Sequence, residues 1–369
     1  MANNKTAPPA LEAPLVPLKG VRVDALVALK IIKHASGAFP SIVTGQLLGM
    51  EVEGVIEITH SFPFPAVEQT PTNDFGDNNA SNTAILAPRS KSNAWYQSEM
   101  MKCLREINVD SNVMGWYQST NLGNFVTKEL VENQYYYQSS TQLNERTVAL
   151  VYDAARSTQG ALSIRSFRLT PQLMNAMKDG KFTTESLQKY SLTYKELFQE
   201  LPVTIHNSHL VNSLLHQLSS SPSTLPSFTS SLRQSTLPPP LFPNYDSLDL
   251  SIDPFLEKNC DLLLDSIETH YTELNNAQYY QRQLAREHAK ITAWQQKRKA
   301  ENISRAALKQ PPLPEDEWQK LFKLPQEPSR LEALLNSRQI EQYAKQVDGF
   351  TAAVTAKMFA VNGGLAKIE

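Results

Sequence analysis

The chain has 369 residues, of which 41% are hydrophobic, and its 35 Lys and Arg nearly balance its 37 Asp and Glu. This length and composition allow a substantial core in one large domain or two smaller ones. The balanced charge excludes a global electrostatic attraction to nucleic acid or to a membrane surface, so a charge-driven partner has to be sought locally.

The two cysteines, Cys103 and Cys260, are far apart in sequence, which argues against a disulfide framework and for a reducing compartment. We expect both thiols to be buried as small apolar groups. Prolines interrupt the N-terminal segment where a signal peptide needs a continuous apolar run, and no stretch approaches the roughly 18 apolar residues of a membrane span. The sequence therefore predicts a soluble, cytoplasmic protein without a membrane partner.

The N-terminal segment begins with a proline-rich stretch, residues 1–19, which predicts a disordered tail. Residues 23–35 mix strand and helix spacing, which indicates a short strand followed by a helix that ends before Gly37. Two runs rich in β-branched residues, at 42–50 and 55–62, have a glycine near the turn between them. Together they predict a hairpin of core strands.

Residues 70–93 concentrate Asn, Ser, Asp, Gly and Pro, which predicts a long excursion from the sheet. Strands and helices alternate after it: helices are expected at 95–107 and 128–140, and strands at 113–119, 148–152 and 162–169. This alternation predicts an α/β core that occupies residues 20–170.

The remaining chain is predicted to be mainly helical. Residues 171–218 are helix-compatible, and a Ser/Pro-rich linker follows at 219–245. A long helix is expected within 246–310, because neither Pro nor Gly occurs between residues 255 and 310. A proline-rich connection at 311–328 stops that helix, and a last helix fits 329–369.

Several strings in the α/β core resemble landmarks of the JAB1/MPN family, namely GQLLG at 45–49, GWYQST at 115–120 and VALVYD at 148–153. Active members of that family are zinc isopeptidases, and the resemblance implies a mixed sheet flanked by helices. It also implies which positions would carry the zinc chemistry. In this chain those positions hold residues that suit neither ligation nor proton transfer: Ile42, Gln118, Thr120, Thr127 and Leu130.

Catalytic zinc needs three good protein ligands and an open position for water. An amide, an alcohol and a leucine do not supply them, so we expect no catalytic residue, no bound metal and no cofactor. Scattered residues such as Cys103, His34 and His60 lack metal-ligand spacing. The only histidine cluster, His206, His209 and His216, lacks a clear carboxylate or thiol partner, and a helix surface is the favoured interpretation there.

A narrower resemblance follows from EITHSFPFP at 57–65, GWYQST at 115–120 and PPLPE at 311–315. These strings, in this order, resemble the h-subunit family of eukaryotic translation initiation factor 3. The resemblance implies a non-enzymatic scaffold in a complex that binds the small ribosomal subunit and has no small-molecule substrate. It further implies pairing with the MPN domain of the f subunit and entry of the C-terminal helices into a shared helical bundle. The alternative is an MPN subunit of a proteasome-lid or signalosome-like assembly with a ubiquitin-related role.

Two features of the C-terminal half fit partner binding. Apolar residues recur at steps of three or four in the last helix, and the candidate partner-binding residues are Ile340, Tyr343, Val347, Phe350, Val354 and Met358. Docking to other subunits is favoured over packing on this chain's own core, because proline-rich breaks loosen the tether.

A local positive excess in the preceding helix makes Lys297, Arg298 and Lys299 candidate RNA contacts. A solvated helix face is the alternative for those charges.

Overall fold

The computed structural model describes residues 17–65, 91–109, 112–139, 146–157, 162–220, 253–307, 311, 313–314 and 317–365. Within them the chain forms two compact units. The sheet unit holds the described residues up to Phe125 together with 129–169 and 198–220. The helical unit holds residues 126–128, 170–197 and the described residues from 253 onward.

The sheet unit is organised by eight strands, which are β1 (Gly20–Asp24), β2 (Thr44–Val52), β3 (Val55–Pro63), β4 (Val113–Thr120), β5 (Val148–Asp153), β6 (Ile164–Leu169), β7 (Phe198–Leu201) and β8 (Val203–His206). Their order in the sheet is β7-β6-β5-β4-β2-β3-β1-β8. β1 pairs in parallel with β3 and β8, and β4 pairs in parallel with β5, whereas the other pairs are antiparallel. This mixed sheet with its helices confirms the predicted α/β class.

The described residues also form ten α-helices and one 3₁₀ turn at Tyr194–Glu196. The helices are α1 (Ala25–Ala38), α2 (Lys91–Glu106), α3 (Lys128–Ser139), α4 (Ala154–Ser157), α5 (Pro171–Asp179), α6 (Thr184–Lys189), α7 (His209–Ser220), α8 (Asp253–Ala307), α9 (Trp318–Leu321) and α10 (Leu331–Leu365). The helices predicted near α2 and α3 and the strands predicted near β4, β5 and β6 are confirmed to within a few residues.

The β2–β3 hairpin is confirmed, and its turn explains its register. Glu53 and Gly54 have positive φ angles of 52° and 83°. Two consecutive residues in this region form the type I′ turn whose twist matches that of the flanking strands. The turn joins Val52 directly to Val55 in the ladder.

Helix α1 covers one face of the sheet with Val27, Ala28, Ile31 and Ala35, all of which are buried. Their spacing places them on one helical face. The expectation that this helix ends before Gly37 is wrong, because α1 continues to Ala38. Packing of the preceding turns on the sheet outweighs the modest helix cost of one glycine.

The expectation that residues 171–218 are a helical extension is also wrong in its middle, where β7 and β8 form. The two strands are separated only by Pro202, yet they lie at opposite ends of the sheet order. One extended segment therefore pairs with β6 through its first half and with β1 through its second half. The carbonyl of Pro202 accepts a hydrogen bond from the Val21 amide at 2.9 Å, so the junction itself is also bonded.

Several expected segments fall wholly or partly outside the described residues: most of the tail at 1–19, most of the excursion at 70–93 and nearly all of the linker at 219–245. The long helix predicted within 246–310 corresponds to α8, and the last predicted helix corresponds to α10. The connection predicted at 311–328 contains one helical turn, α9.

Two glycines of the sequence landmarks are required by close strand approach. A Cβ atom on Gly115 would lie 1.9 Å from the carbonyl oxygen of Val148, and one on Gly49 would lie 1.9 Å from that of Glu57. Both contacts are with backbone atoms of paired strands, which cannot move away locally. By contrast, a Cβ on Gly349 in α10 would meet nothing within 4 Å.

We therefore expect opposite effects from the same substitution at two positions. Gly115→Ala forces β4 and β5 apart and should destabilise the chain by about 2–3 kcal/mol. Gly349→Ala should stabilise it by about 0.5–1 kcal/mol, because alanine loses less backbone entropy in a helix. Thermal unfolding followed by circular dichroism measures both, and equal shifts for the two variants would contradict the packing assignment.

Candidate functional site

The end of β4 carries the positions at which the JAB1/MPN resemblance expects zinc ligands, and its side chains there contact backbone. Ser119 Oγ accepts a hydrogen bond from the Val43 amide at 2.8 Å, and the Ser119 amide donates to the Val43 carbonyl at 2.8 Å. Thr120 Oγ1 donates to the Asn124 carbonyl at 2.8 Å. Gln118 is buried beside Thr44 in the β2–β4 ladder. The hydroxyl groups of Ser119 and Thr120 therefore hold the strand to neighbouring backbone.

The other positions of the degenerate site are apolar or lie beside helix α3. Leu130 is 1% exposed in the first turn of that helix, where it packs as a core residue. Ile42 is half-buried two residues before β2, and Thr127 is half-buried directly before α3. The β2–β4 pairing does bring the segment that contains Ile42 next to Ser119, as the resemblance implies. Neither Ile42 nor Leu130 offers a group that moves a proton or binds a metal.

Among the described residues, Asp153 is the buried carboxylate beside this site, and sequence reasoning assigned it no role. It lies at the end of β5 in register with Thr120. Its carboxylate accepts hydrogen bonds from the backbone amides of Arg156, Leu122 and Gly123. Burial raises the pKa of Asp153, and these amide donors oppose that rise. The side chain thus fixes the turn after β4, in which Leu122 and Gly123 both have positive φ.

Histidines and cysteines of the described residues form no metal centre. No group of three His, Cys, Asp or Glu in that part of the chain is placed to hold an ion. His34 Nδ1 is instead hydrogen-bonded to the Tyr117 hydroxyl at 2.9 Å. The expectation that both thiols are buried is wrong, because Cys103 and Cys260 are exposed on α2 and α8. Both lie on largely polar helices with room for an exposed small residue.

The long helices α8 and α10 pack together in the helical unit. Buried residues of α10 extend over its first four turns: Leu331, Leu335, Gln339, Gln342, Tyr343 and Gln346. Gln339 accepts a hydrogen bond from the Val126 amide at 3.1 Å, which ties the same face to the segment before α3. Half of these buried residues are glutamines. A search for apolar residues alone therefore underestimates how much of α10 is buried.

The candidate partner-binding residues of α10 divide into two groups. Tyr343 is 1% exposed. This residue therefore packs within the chain, which was the alternative to docking on another subunit. The residues Ile340, Val347, Phe350 and Val354 are half-buried. Met358 and its neighbour Phe359, which sequence reasoning missed, are 52% and 78% exposed. Among the described side chains of α10, the exposed large apolar ones therefore lie toward its C-terminal end.

The proline-rich connection is bonded at several points, which corrects the expectation of a loose tether. The Asn302 side chain forms two hydrogen bonds with the backbone of Leu313, of 2.9 and 3.1 Å. Glu327 accepts a hydrogen bond from the Thr184 amide at 3.0 Å, and the Arg330 amide donates to the Phe182 carbonyl at 3.1 Å. Proline has no backbone amide to donate, so a proline-rich segment forms few regular backbone hydrogen bonds. These individual bonds hold the segment in place instead.

The basic run on α8 also divides. Arg298 pairs with Glu317 and Glu301, and its guanidinium lies 4.8 Å from the centroid of the Trp294 ring. Arg298 therefore already has partners within the helical unit, and its contact with RNA stays a prediction. Lys297 and Lys299 are both exposed and remain candidates.

Among the helices described, none combines the length and the apolar character that crossing a membrane requires.

Comparison with protein families gives two matches. Residues 17–143 match the family described as JAB1/Mov34/MPN/PAD-1 ubiquitin protease, and this confirms the fold expected from the resemblance. Residues 157–237 and 239–367 match the family described as the C-terminal region of eIF3h. The second match covers more than half of the chain.

Curated relatives match over nearly the whole chain, and each is named as the H subunit of eukaryotic translation initiation factor 3. The protein of Phaeosphaeria nodorum is 64% identical over 356 residues, covering 95% of this chain and 97% of its own length. That of Emericella nidulans is 59% identical over 364 residues, covering 97% and 99%. That of Aspergillus niger is 61% identical over 356 residues, covering 95% and 97%.

We expect the purified chain to contain no stoichiometric zinc and to leave ubiquitin chains uncleaved, because Gln118, Thr120 and Leu130 supply no hydrolytic site. The double variant Gln118→His with Thr120→His should remain inactive, since Ile42 provides no carboxylate for proton transfer. Elemental analysis and cleavage of ubiquitin dimers measure these outcomes. One zinc per chain with chelator-sensitive cleavage would contradict the assignment.

Proposed function

Because this chain belongs to the h-subunit family of eukaryotic translation initiation factor 3, we propose that it is a non-enzymatic structural subunit of that complex. In this role it supports assembly of the complex and its engagement of the small ribosomal subunit and mRNA in the cytoplasm. The observation that carries the proposal is the 59–64% identity to three relatives of that name over at least 95% of the chain.

The non-enzymatic part of the proposal is supported by the end of β4. Ser119 and Thr120 use their hydroxyl groups to bind backbone, and Leu130 is buried in the core. A hydrolytic metal site needs several basic or anionic ligands that converge on one point. These side chains serve strand packing instead.

The alternative of a proteasome-lid or signalosome-like subunit would share the sheet unit and differ in the C-terminal helices. The match of residues 157–237 and 239–367 to the C-terminal region of eIF3h favours the initiation factor. The match of residues 17–143 to the JAB1/Mov34/MPN/PAD-1 family fits both alternatives and does not by itself favour a ubiquitin-related role.

Two classes of partner follow from the proposal. The sheet unit is expected to pair with the MPN domain of the f subunit, on the resemblance of its landmarks to the h-subunit family. The long helices are expected to enter a bundle with other subunits, and exposed apolar residues support this. On α8 these residues are spaced by three or four, as in helix packing: Leu264, Ile267, Tyr271 and Leu274.

The exposed end of α10 supplies a test of the helical docking. Met358→Asp with Phe359→Asp places two charges on a surface that would be buried by partner helices, and each apolar side chain removed is worth about 1.5–3 kcal/mol if fully buried. We expect the variant chain to co-purify with fewer subunits of its complex, while its own unfolding temperature stays unchanged because both residues are exposed.

The measurement is the stoichiometry of partners that co-purify with the tagged full-length chain. The control is Ile107→Asp, which adds a charge at a 68% exposed position after α2 and should leave the partners unchanged. Purification of wild-type chain without other initiation factor 3 subunits would refute the proposed function itself. Full stoichiometry of the variant would refute docking at this end of α10 alone.

Lys297 and Lys299 test direct contact with RNA. We expect Lys297→Glu with Lys299→Glu to weaken binding of the assembled complex to the small ribosomal subunit, and to lower the slope of log affinity against log salt by about one for each phosphate that is no longer bound. Arg298 is left unchanged in this test because it pairs within the helical unit. Lys258→Glu with Lys323→Glu is the matched control, since both lysines are exposed. Equal salt slopes for wild type and variant would assign the two charges to solubility.

A further inference from the structure

The sheet unit contains a cavity of about 680 Å³ that the degenerate metal site does not use. It lies between α1, the hairpin strands β2 and β3, and α2. Its volume falls within the range typical of binding pockets, about 300–1,000 Å³. It is open on one side, so a bound group would enter from solvent.

The interior of this cavity is apolar. Leu48 is fully buried and Phe62 is 5% exposed, and they pack with Met100 and Leu104 of α2. Phe62 also contacts the Tyr96 ring edge-on, with 6.1 Å between ring centroids. A group that fills this space gains by burying apolar surface.

Two polar side chains of the cavity wall, His34 and Tyr117, are bonded to each other. His34 Nδ1 and the Tyr117 hydroxyl are hydrogen-bonded to each other at 2.9 Å. Burial lowers the pKa of His34, which favours the neutral ring near pH 7. The other polar residues of the lining are His60, whose Nδ1 is hydrogen-bonded to Thr59 Oγ1 at 3.1 Å, and Ser61. The rest of the lining inside the rim is apolar, so the part of a ligand that enters needs no charge of its own.

The charge is on the rim. Lys30 and Lys33 lie one turn apart on α1, and both are exposed and line the cavity. Neither forms an ion pair with another described residue. No Asp or Glu occurs among the described residues that line the cavity. The mouth is therefore positive over a length of about 5 Å along the helix axis.

We propose that this cavity binds a short segment of a partner protein that inserts one large apolar side chain flanked by Asp or Glu. Apolar walls with a mutually bonded polar pair fit an uncharged anchor, and two separate lysines fit acidic residues on a chain that runs along α1. A small organic anion would be bound better by positive charges clustered inside the cavity, whereas here the two lysines lie on its rim. The proposal stands independently of which complex the chain belongs to.

Gly37 offers a way to fill the cavity without disturbing the core. It lines the cavity, and a Cβ atom at this position would meet nothing within 4 Å. Gly37→Leu should therefore occupy the apolar space while the chain folds normally. The matched control is Gly349→Leu, because Gly349 is also helical and equally open but lies in the helical unit.

The test begins by panning a displayed library of random short peptides against the full chain, with the Gly37→Leu chain as counter-selection. We expect the enriched peptides to share a large apolar residue next to Asp or Glu. Lys30→Glu with Lys33→Glu should weaken their binding about tenfold, since two attractive rim charges become repulsive. Lys178→Glu with Lys181→Glu, an exposed pair three residues apart in sequence, should bind as wild type.

Fluorescence polarisation with the enriched peptides measures these affinities, and circular dichroism checks that each variant folds. The charge-reversal pair is exposed, so it tests the proposal even if the filled variant does not fold. Absence of enrichment, enrichment of peptides without acidic residues, or equal binding to the charge-reversed chain would overturn the proposal. Binding of anilinonaphthalene sulfonate in the cavity without any peptide enrichment would assign it to small anions instead.

Discussion

Closure of the sheet by residues 198–206 is the constraint on which the sheet unit depends. A strand at the edge of a sheet leaves backbone amide and carbonyl groups unpaired, and these groups invite pairing with other chains. Here one segment serves both edges, because its first half bonds to β6 and its second half to β1. The chain between β6 and β7 contributes α5 and α6 to the helical unit. The segment therefore returns the chain to the sheet after a helical excursion.

The side chains at the degenerate metal site make structural contacts. A zinc site requires ligands whose lone pairs face an ion, and such groups are poor packing elements. At the end of β4 the remaining hydroxyls face backbone partners, and Asp153 holds the next turn through three amide donors. Each of these hydroxyl and carboxylate groups has a protein partner, as buried polar groups generally do.

Much of the fold could be predicted from sequence, because local patterns decide it. The glycine near residues 53–54 and the β-branched runs around it define the hairpin, and the apolar run of β5 defines a central strand. The two short strands at 198–206 were missed, since their pairing partners lie far away in sequence and four residues carry little periodicity. Gln118 and Leu130 were identified as degenerate site positions through the resemblance to the JAB1/MPN family, because composition and spacing alone do not single them out. The burial of Tyr343, the pairing of Arg298 and the role of Asp153 depend on tertiary contacts that no spacing rule contains.

The pairing of Arg298 has a consequence for which amino-acid changes this helix tolerates. Its planar guanidinium contacts the Trp294 ring and two carboxylates at once, which the compact ammonium group of lysine does not reproduce. Replacement of arginine by lysine preserves the charge yet removes the stacking on the ring. At the exposed Lys297 and Lys299, replacement of lysine by arginine keeps the positive charge in solvent. Three adjacent basic residues thus differ in mutational tolerance, although a comparison of amino-acid classes would treat them alike.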